Sequence, residues 1–153
     1  MAGHGENISC DRLNNFFIRK KIKAFAYRLK QSKGVKQWTD VLVDSQLNKY
    51  YLAIEVKAKR GKYALNFNGD FTTDEFTGEH QLDRQIEFSR RTGRAPYVVL
   101  FCRMGAGRKQ LIYVFESIEL QKRMKRGDVS VLSKDFDSLN RKNELWRILH
   151  KKK

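Results

Sequence analysis

The sequence predicts an α/β (α+β) fold in which helices flank a mixed central sheet, and three observations carry that expectation. Apolar residues recur at helical spacing in two long segments, five runs have strand character, and the order is helix, three strands, helix, two strands. The 153 residues are also 41% hydrophobic and 12% aromatic, enough for a real core and against intrinsic disorder.

The first helix is predicted from about Ser9 to Gln31, because Leu13, Phe16, Phe17, Ala24, Phe25 and Leu29 recur at three- and four-residue spacing, with Gly34 as its stop. Arg12, Arg19, Lys20, Lys23 and Lys30 line its other face, suited to phosphates or to solvent. Strands follow at Lys36–Asp44 and Tyr50–Lys57, separated by the polar stretch Ser45–Lys49 and therefore paired antiparallel. A turn centred between residues 47 and 48 sets Val43 opposite Leu52 and Val41 opposite Ile54 on one apolar face, with Asp40 opposite Glu55. Side chains alternate along a strand, so Lys57 projects on the same side as Glu55.

Tyr63, Leu65 and Phe67 alternate as a third strand would. A second helix is predicted from about Glu79 to Thr92, with Leu82, Ile86 and Ser89 inward and Gly93 as its stop. His80, at its start, reads as a surface or capping residue and not as a ligand. Tyr97–Cys102 and Leu111–Phe115 read as buried strands around the turn Met104–Gly107, which lacks the third glycine and following helix of a phosphate loop. The remainder reads as a short helix Ile118–Lys125, a short strand Val129–Leu132 and an amphipathic helix Leu139–Leu149 ahead of Lys151–Lys153. The C-terminal helix, with Trp146, Ile148 and Leu149, is expected to dock on the body or on a second protomer.

One proline, no linker-like stretch and no repeat predict a single domain over 1–153, with a core at about 9–116 and a basic C-terminal extension at about 117–153. With 32 Lys plus Arg against 17 Asp plus Glu, the formal charge is +15, which points to a polyanionic partner of the nucleic-acid class. The longest apolar run, Tyr97–Cys102, falls far short of a membrane span, and Met1–Glu6 carry no secretory pattern. The expected location is intracellular and cytoplasmic, with the nucleoid as its site of action, and no membrane partner or small-molecule cofactor is expected. Cys10 and Cys102 cannot form a four-ligand zinc site by themselves and are expected to be inert.

Asp40, Glu55 and Lys57 carry the chemistry. Phosphodiester hydrolysis needs an activated water and charge stabilisation on the phosphate, and a divalent cation held by carboxylates supplies both. Mg²⁺ keeps several waters, so Asp40, Glu55 and the Val56 carbonyl suffice as the protein's ligands, with Mn²⁺ as the alternative ion. Lys57 is placed to polarise the water or neutralise the phosphate. Lys59, Arg60 and Lys62 follow at once as candidate phosphate contacts, and Gln81 and Gln85 share a helix face from which they could hydrogen-bond to water or phosphate.

Thr39-Asp40-Val-Leu and Glu55-Val56-Lys57, with fourteen residues between Asp40 and Glu55, resemble the PD-(D/E)XK nuclease signature, with threonine where that superfamily often has proline. Within it, the strand Tyr51–Gly61, the glutamine-bearing helix segment Gln81–Phe88 and the Tyr-Val-Val-Leu strand are similar to the Holliday-junction resolvase branch, over about residues 20–116. The resemblance implies a restriction-endonuclease-like αβββαβ core and a metal-dependent homodimeric endonuclease acting on branched DNA in recombination and repair. Asp40 and Glu55 would be metal ligands and Lys57 the catalytic lysine. Relatives carry a glutamate in the first helix in a context like KGxxFE, where Lys21–Ala26 offers isoleucine and alanine, leaving Glu6 or Asp11 as substitutes. The dimer interface would come from Val98–Leu100 or from the C-terminal helix. The alternatives are a restriction or homing-type endonuclease on the same fold, or a non-catalytic nucleic-acid-binding protein.

Overall fold

The computed structural model describes residues 3–29, 37–61, 63–105, 109–141 and 143–150. In chain order the elements are helix α1 (His4–Arg19), strands β1 (Ala24–Arg28), β2 (Val41–Ser45), β3 (Leu52–Arg60) and β4 (Leu65–Asn66), helix α2 (Gln81–Thr92), strands β5 (Ala95–Met104) and β6 (Lys109–Glu116), helix α3 (Ser117–Lys125), strand β7 (Ser130–Val131), and helices α4 (Phe136–Asn140) and α5 (Glu144–Leu149). Five strands form one sheet in the order β1-β2-β3-β5-β6. Only β3 and β5 are parallel, joined through α2, so the sheet is mixed.

The first helix stops twelve residues before Gln31. Lys21 adopts a left-handed φ of 55°, which breaks the helix, and the chain returns along α1 as an edge strand. Asn14 holds that return: its amide donates to the Ala26 carbonyl at 2.9 Å, and its oxygen accepts from the Ala26 nitrogen at 2.8 Å. Ala24, Phe25 and Ala26 therefore belong to β1, with Ala26 buried and Phe25 exposed. Gly34 lies outside the described residues.

The β2–β3 register is the expected one, with Val41 opposite Ile54 and Val43 opposite Leu52. The expected αβββαβ order is present as α1-β1-β2-β3-α2-β5, but its three strands sit one place earlier in the chain than Tyr63–Phe67 suggested. That segment supplies only β4, which pairs with β7 in a separate two-stranded sheet. The C-terminal amphipathic segment is two helices, interrupted where the Asn143 side chain caps α5 by accepting from the Trp146 nitrogen.

The sheet is covered on both faces. On one, Leu13 and Phe17 of α1 and Leu145, Ile148 and Leu149 of α5 pack on Ile54, Val99, Phe101 and Val114. On the other, Leu82 of α2, Leu120 of α3 and Phe136 of α4 pack on Val98, Leu100, Cys102 and Phe115. Val98, Val99 and Leu100 are each 0% exposed, so this strand cannot offer a dimer interface, and α5 docks on the body of its own chain. The outer edge at β6 is partly satisfied by side chains: Val114 N–H donates to Asn140, and Trp146 Nε1 donates to the Ile112 carbonyl at 2.8 Å. Both cysteines are buried thiols outside any disulfide, and burial pushes the Cys10 thiol up to about 11, which keeps it unreactive. No helix among the described residues is long and apolar enough to cross a membrane.

Candidate active site

Asp40 stands immediately before β2 and extends its ladder by one bond, its N–H donating to the Ile54 carbonyl at 3.1 Å. Beyond that point no strand among the described residues pairs with β3 on this side. The carboxylate supplies the missing acceptor: Asp40 Oδ2 receives the Val56 N–H at 2.8 Å, while Oδ1 receives the Gln37 amide at 2.7 Å. The N–H and C=O of one strand residue point to the same side, so the Val56 carbonyl faces the Asp40 edge as well.

Glu55 and Lys57 project from β3 toward α2. Glu55 is 4% exposed, and its Oε2 lies 3.3 Å from Lys57 Nζ. Gln81, the first residue of α2, joins the two: Nε2 donates to Glu55 Oε2 and Oε1 accepts from Lys57 Nζ, both at 2.7 Å. The same Oε1 accepts the Thr72 N–H at 3.1 Å, tying the loop before α2 into the cluster. Lys57 Nζ also lies 5.0 Å from the centre of the Phe71 ring.

Asp40 and Glu55 are close enough that each carboxyl perturbs the ionisation of the other. Burial, reinforced by the Asp40 charge and opposed by Lys57, pushes Glu55 up to about 8. Burial also raises Asp40, against the Val56 N–H and the Glu55 carboxyl that hold it down. Of the two acids, Glu55 is therefore the one that burial and its neighbour's charge make the more reluctant to ionise. Two such acids suit a divalent cation, which would take the place of the proton and let both ionise. Among the described residues no three of His, Cys, Asp and Glu converge as a ready cage, so the donor set is Asp40, Glu55 and the Val56 carbonyl, which fits an ion that retains water.

The structure separates the remaining expected residues. Gln81 belongs to the cluster. Gln85, 1% exposed, donates to the Ala53 and Tyr97 carbonyls and accepts from Ser117 Oγ, so its amide is spent inside the fold and cannot reach a phosphate. Lys59 pairs with Asp70 at 2.9 Å and donates to the Ala64 carbonyl at 2.6 Å, clamping the loop after β3. Arg60 is exposed at the end of β3, and Lys62 lies outside the described residues. His80 caps α2, accepting from the Leu82 N–H at 3.1 Å, but it is buried, with Nε2 2.7 Å from the Phe67 carbonyl.

Lys21–Ala26 contributes no acid to the site, since it lies beyond α1. The acid that approaches from α1 is Glu6, whose charge raises Asp40. Gln37, which orients the Asp40 carboxylate, carries no motif of its own and was not singled out by sequence.

No protein-family model and no curated protein matches the chain by sequence. Among solved structures it is similar to Hjc, a Holliday junction resolvase from the archaeal hyperthermophile Archaeoglobus fulgidus, with a TM-score of 0.51 and 16% identity over 91% of this chain and 98% of that one. At this identity the likeness is one of fold. The chain shares the restriction-endonuclease-like architecture of that structure, a mixed central sheet flanked by helices.

Proposed function

We propose that the chain is a single-domain, Mg²⁺-dependent DNA endonuclease, with four-way junctions as its substrate and Mn²⁺ as a substitute ion. The observation that carries the reading is the meeting of Asp40, Glu55 and Lys57 at the edge of β3, held there by Gln81 and the Val56 N–H. The +15 charge supports an extended phosphate partner, and the fold shared with a junction resolvase supports branched DNA.

Asp40, Glu55 and the Val56 carbonyl would hold the ion, which when bound supplies an acidified water and neutralises charge on the scissile phosphate. Glu55 releases its proton as the site fills. Gln81 fixes the Glu55 carboxylate and the Lys57 amine in one geometry, so that neither has to reorganise when DNA arrives. Lys57 has two partners, Gln81 and Glu55, for its three ammonium hydrogens, so one would remain to orient the attacking water or a phosphate oxygen. Incision of both strands of a junction would use a second copy of the chain.

The test is incubation of purified protein with four-way junction, duplex and single-stranded DNA, with and without Mg²⁺. Junction cutting that requires the metal and disappears in Asp40→Asn and Glu55→Gln, with binding retained, is the expected result. Binding without metal-dependent cutting by the intact protein would instead make this a non-catalytic DNA-binding protein; preferential cutting of one duplex sequence would make it a restriction-type enzyme.

A further inference from the structure

The end of the sheet beyond the acid cluster carries a second arrangement, on the opposite face. Arg60 of β3 lies directly beside Arg103 of β5, and Arg103 lies directly beside Gln110 of β6. Alternation places this row on the face that α1 covers, because Arg60 follows Ala58 and Val56, and Arg103 follows Phe101. The helix begins too late to cover the row. The result is a cavity of about 210 Å³ lined by His4, Gly5, Ala58, Lys59, Arg60, Phe101, Arg103 and Gln110.

Two guanidiniums on adjacent strands repel one another, and like charges at directly paired positions are destabilising. No carboxylate among the described residues pairs with either arginine. The groups that converge instead are donors: two forked guanidiniums, the Gln110 amide and the first turn of α1 at His4 and Gly5. The volume is below the ~300–1,000 Å³ of typical small-molecule sites, which favours a phosphate group over a whole nucleotide.

We infer that Arg60, Arg103, Gln110 and the start of α1 form a phosphate-binding subsite separate from the acid cluster. The phosphate belongs to a nucleic-acid backbone, and that assignment of source rests on the reading above. Arg60 stands three residues beyond Lys57, about 10 Å along β3 and on the other face of the sheet, so the bound phosphate is not the one being cut.

Two measurements on the full chain test this. In the first, inorganic phosphate is titrated against ¹⁵N-labelled protein, with chloride at matched ionic strength as control. Saturable shifts at the His4, Gly5 and Gln110 amides that vanish in Arg60→Gln/Arg103→Gln are expected; identical responses to phosphate and chloride would overturn the subsite. In the second, binding to a four-way junction in Ca²⁺ is followed against salt. The double variant should bind several-fold more weakly, with the slope of log K against log salt reduced by about 1–2, and Arg103→Lys should recover part of the loss. Unchanged affinity and slope would overturn the assignment to a backbone phosphate. Failure of the nuclease reading looks different: the intact protein would bind DNA and respond to phosphate, yet cut nothing.

Discussion

Asp40 Oδ2 lies 2.8 Å from the Val56 backbone nitrogen, so the carboxylate before β2 completes the hydrogen bonding of β3. Among the described residues, a side chain takes the place of a strand beside Val56, between Glu55 and Lys57. The acid is thereby positioned by the backbone ladder, and its chemistry inherits the rigidity of the sheet.

Removing a member of this cluster should separate chemistry from binding. Asp40→Asn, Glu55→Gln and Lys57→Ala are each expected to lower metal-dependent cleavage by about 10²–10⁴-fold. Junction affinity measured in Ca²⁺ should stay within a few-fold. Cleavage that survives all three substitutions would remove the site from the reaction.

Gln81→Ala should act through its two partners. Positioning side chains around a metal site cost about 10–100-fold when lost, so the Mg²⁺ concentration for half-maximal cleavage should rise by about that factor. Gln81→Glu places a third carboxylate beside Glu55 and should shift the pH profile, a change that a merely structural residue would not produce. A profile identical to wild type in both variants refutes the positioning role.

The raised Glu55 sets a pH signature for the metal-free protein. The folded state holds this proton up to about 8, the unfolded chain only to its ordinary 4.5, so between those values the folded state binds more protons. Stability should therefore be highest below the lower value, fall as pH rises through the window and level off above it. Melting temperature against pH in EDTA measures this, and Glu55→Gln should flatten the slope. Apparent Mg²⁺ affinity should climb over the same window, because the ion competes with the proton.

Gln85→Ala should cost stability and leave the chemistry alone. It strips partners from the Ala53 and Tyr97 carbonyls and from Ser117 Oγ in a dry interior, at about 2–4 kcal/mol. Urea unfolding should show a lower midpoint at unchanged slope. A wild-type midpoint would contradict the buried network.

Gly5→Ala tests the seating of α1. An added Cβ would stand 2.8 Å from Val56 Cγ1 and 3.0 Å from Phe101, so helix and sheet must part slightly, at about 1–3 kcal/mol. Because Val56 also carries the Asp40 bond, cleavage should fall along with the melting temperature.

The hairpin and its acids were legible because they depend on local rules. Alternation and one turn position fix Val41 against Ile54; Asp40 stands just before that ladder and meets β3 through Ile54 and Val56. The first helix misled because Ala24 and Phe25 continue the spacing of Leu13 and Phe17, while the left-handed Lys21 that ends the helix has no glycine to announce it. Asn14, which binds Ala26 as a neighbouring strand would, is a tertiary contact that no spacing encodes. Gln85 shared a helix face with Gln81, yet one turn of helix carries it from the open edge to beneath the sheet. Glu6 gained its place only when α1 folded across the end of β3.

The antiparallel hairpin also dictates an order of assembly. Asp40, Glu55, Val56 and Lys57 meet through contacts close in sequence, and Gln81 needs only one further crossing, whereas α5 must travel back across most of the polypeptide to reach α1. The corner formed by Asp40, Glu55 and Lys57 can thus be largely built while the C-terminal third is still emerging from the ribosome, and the docking of α5 closes a scaffold whose acid cluster is already in place.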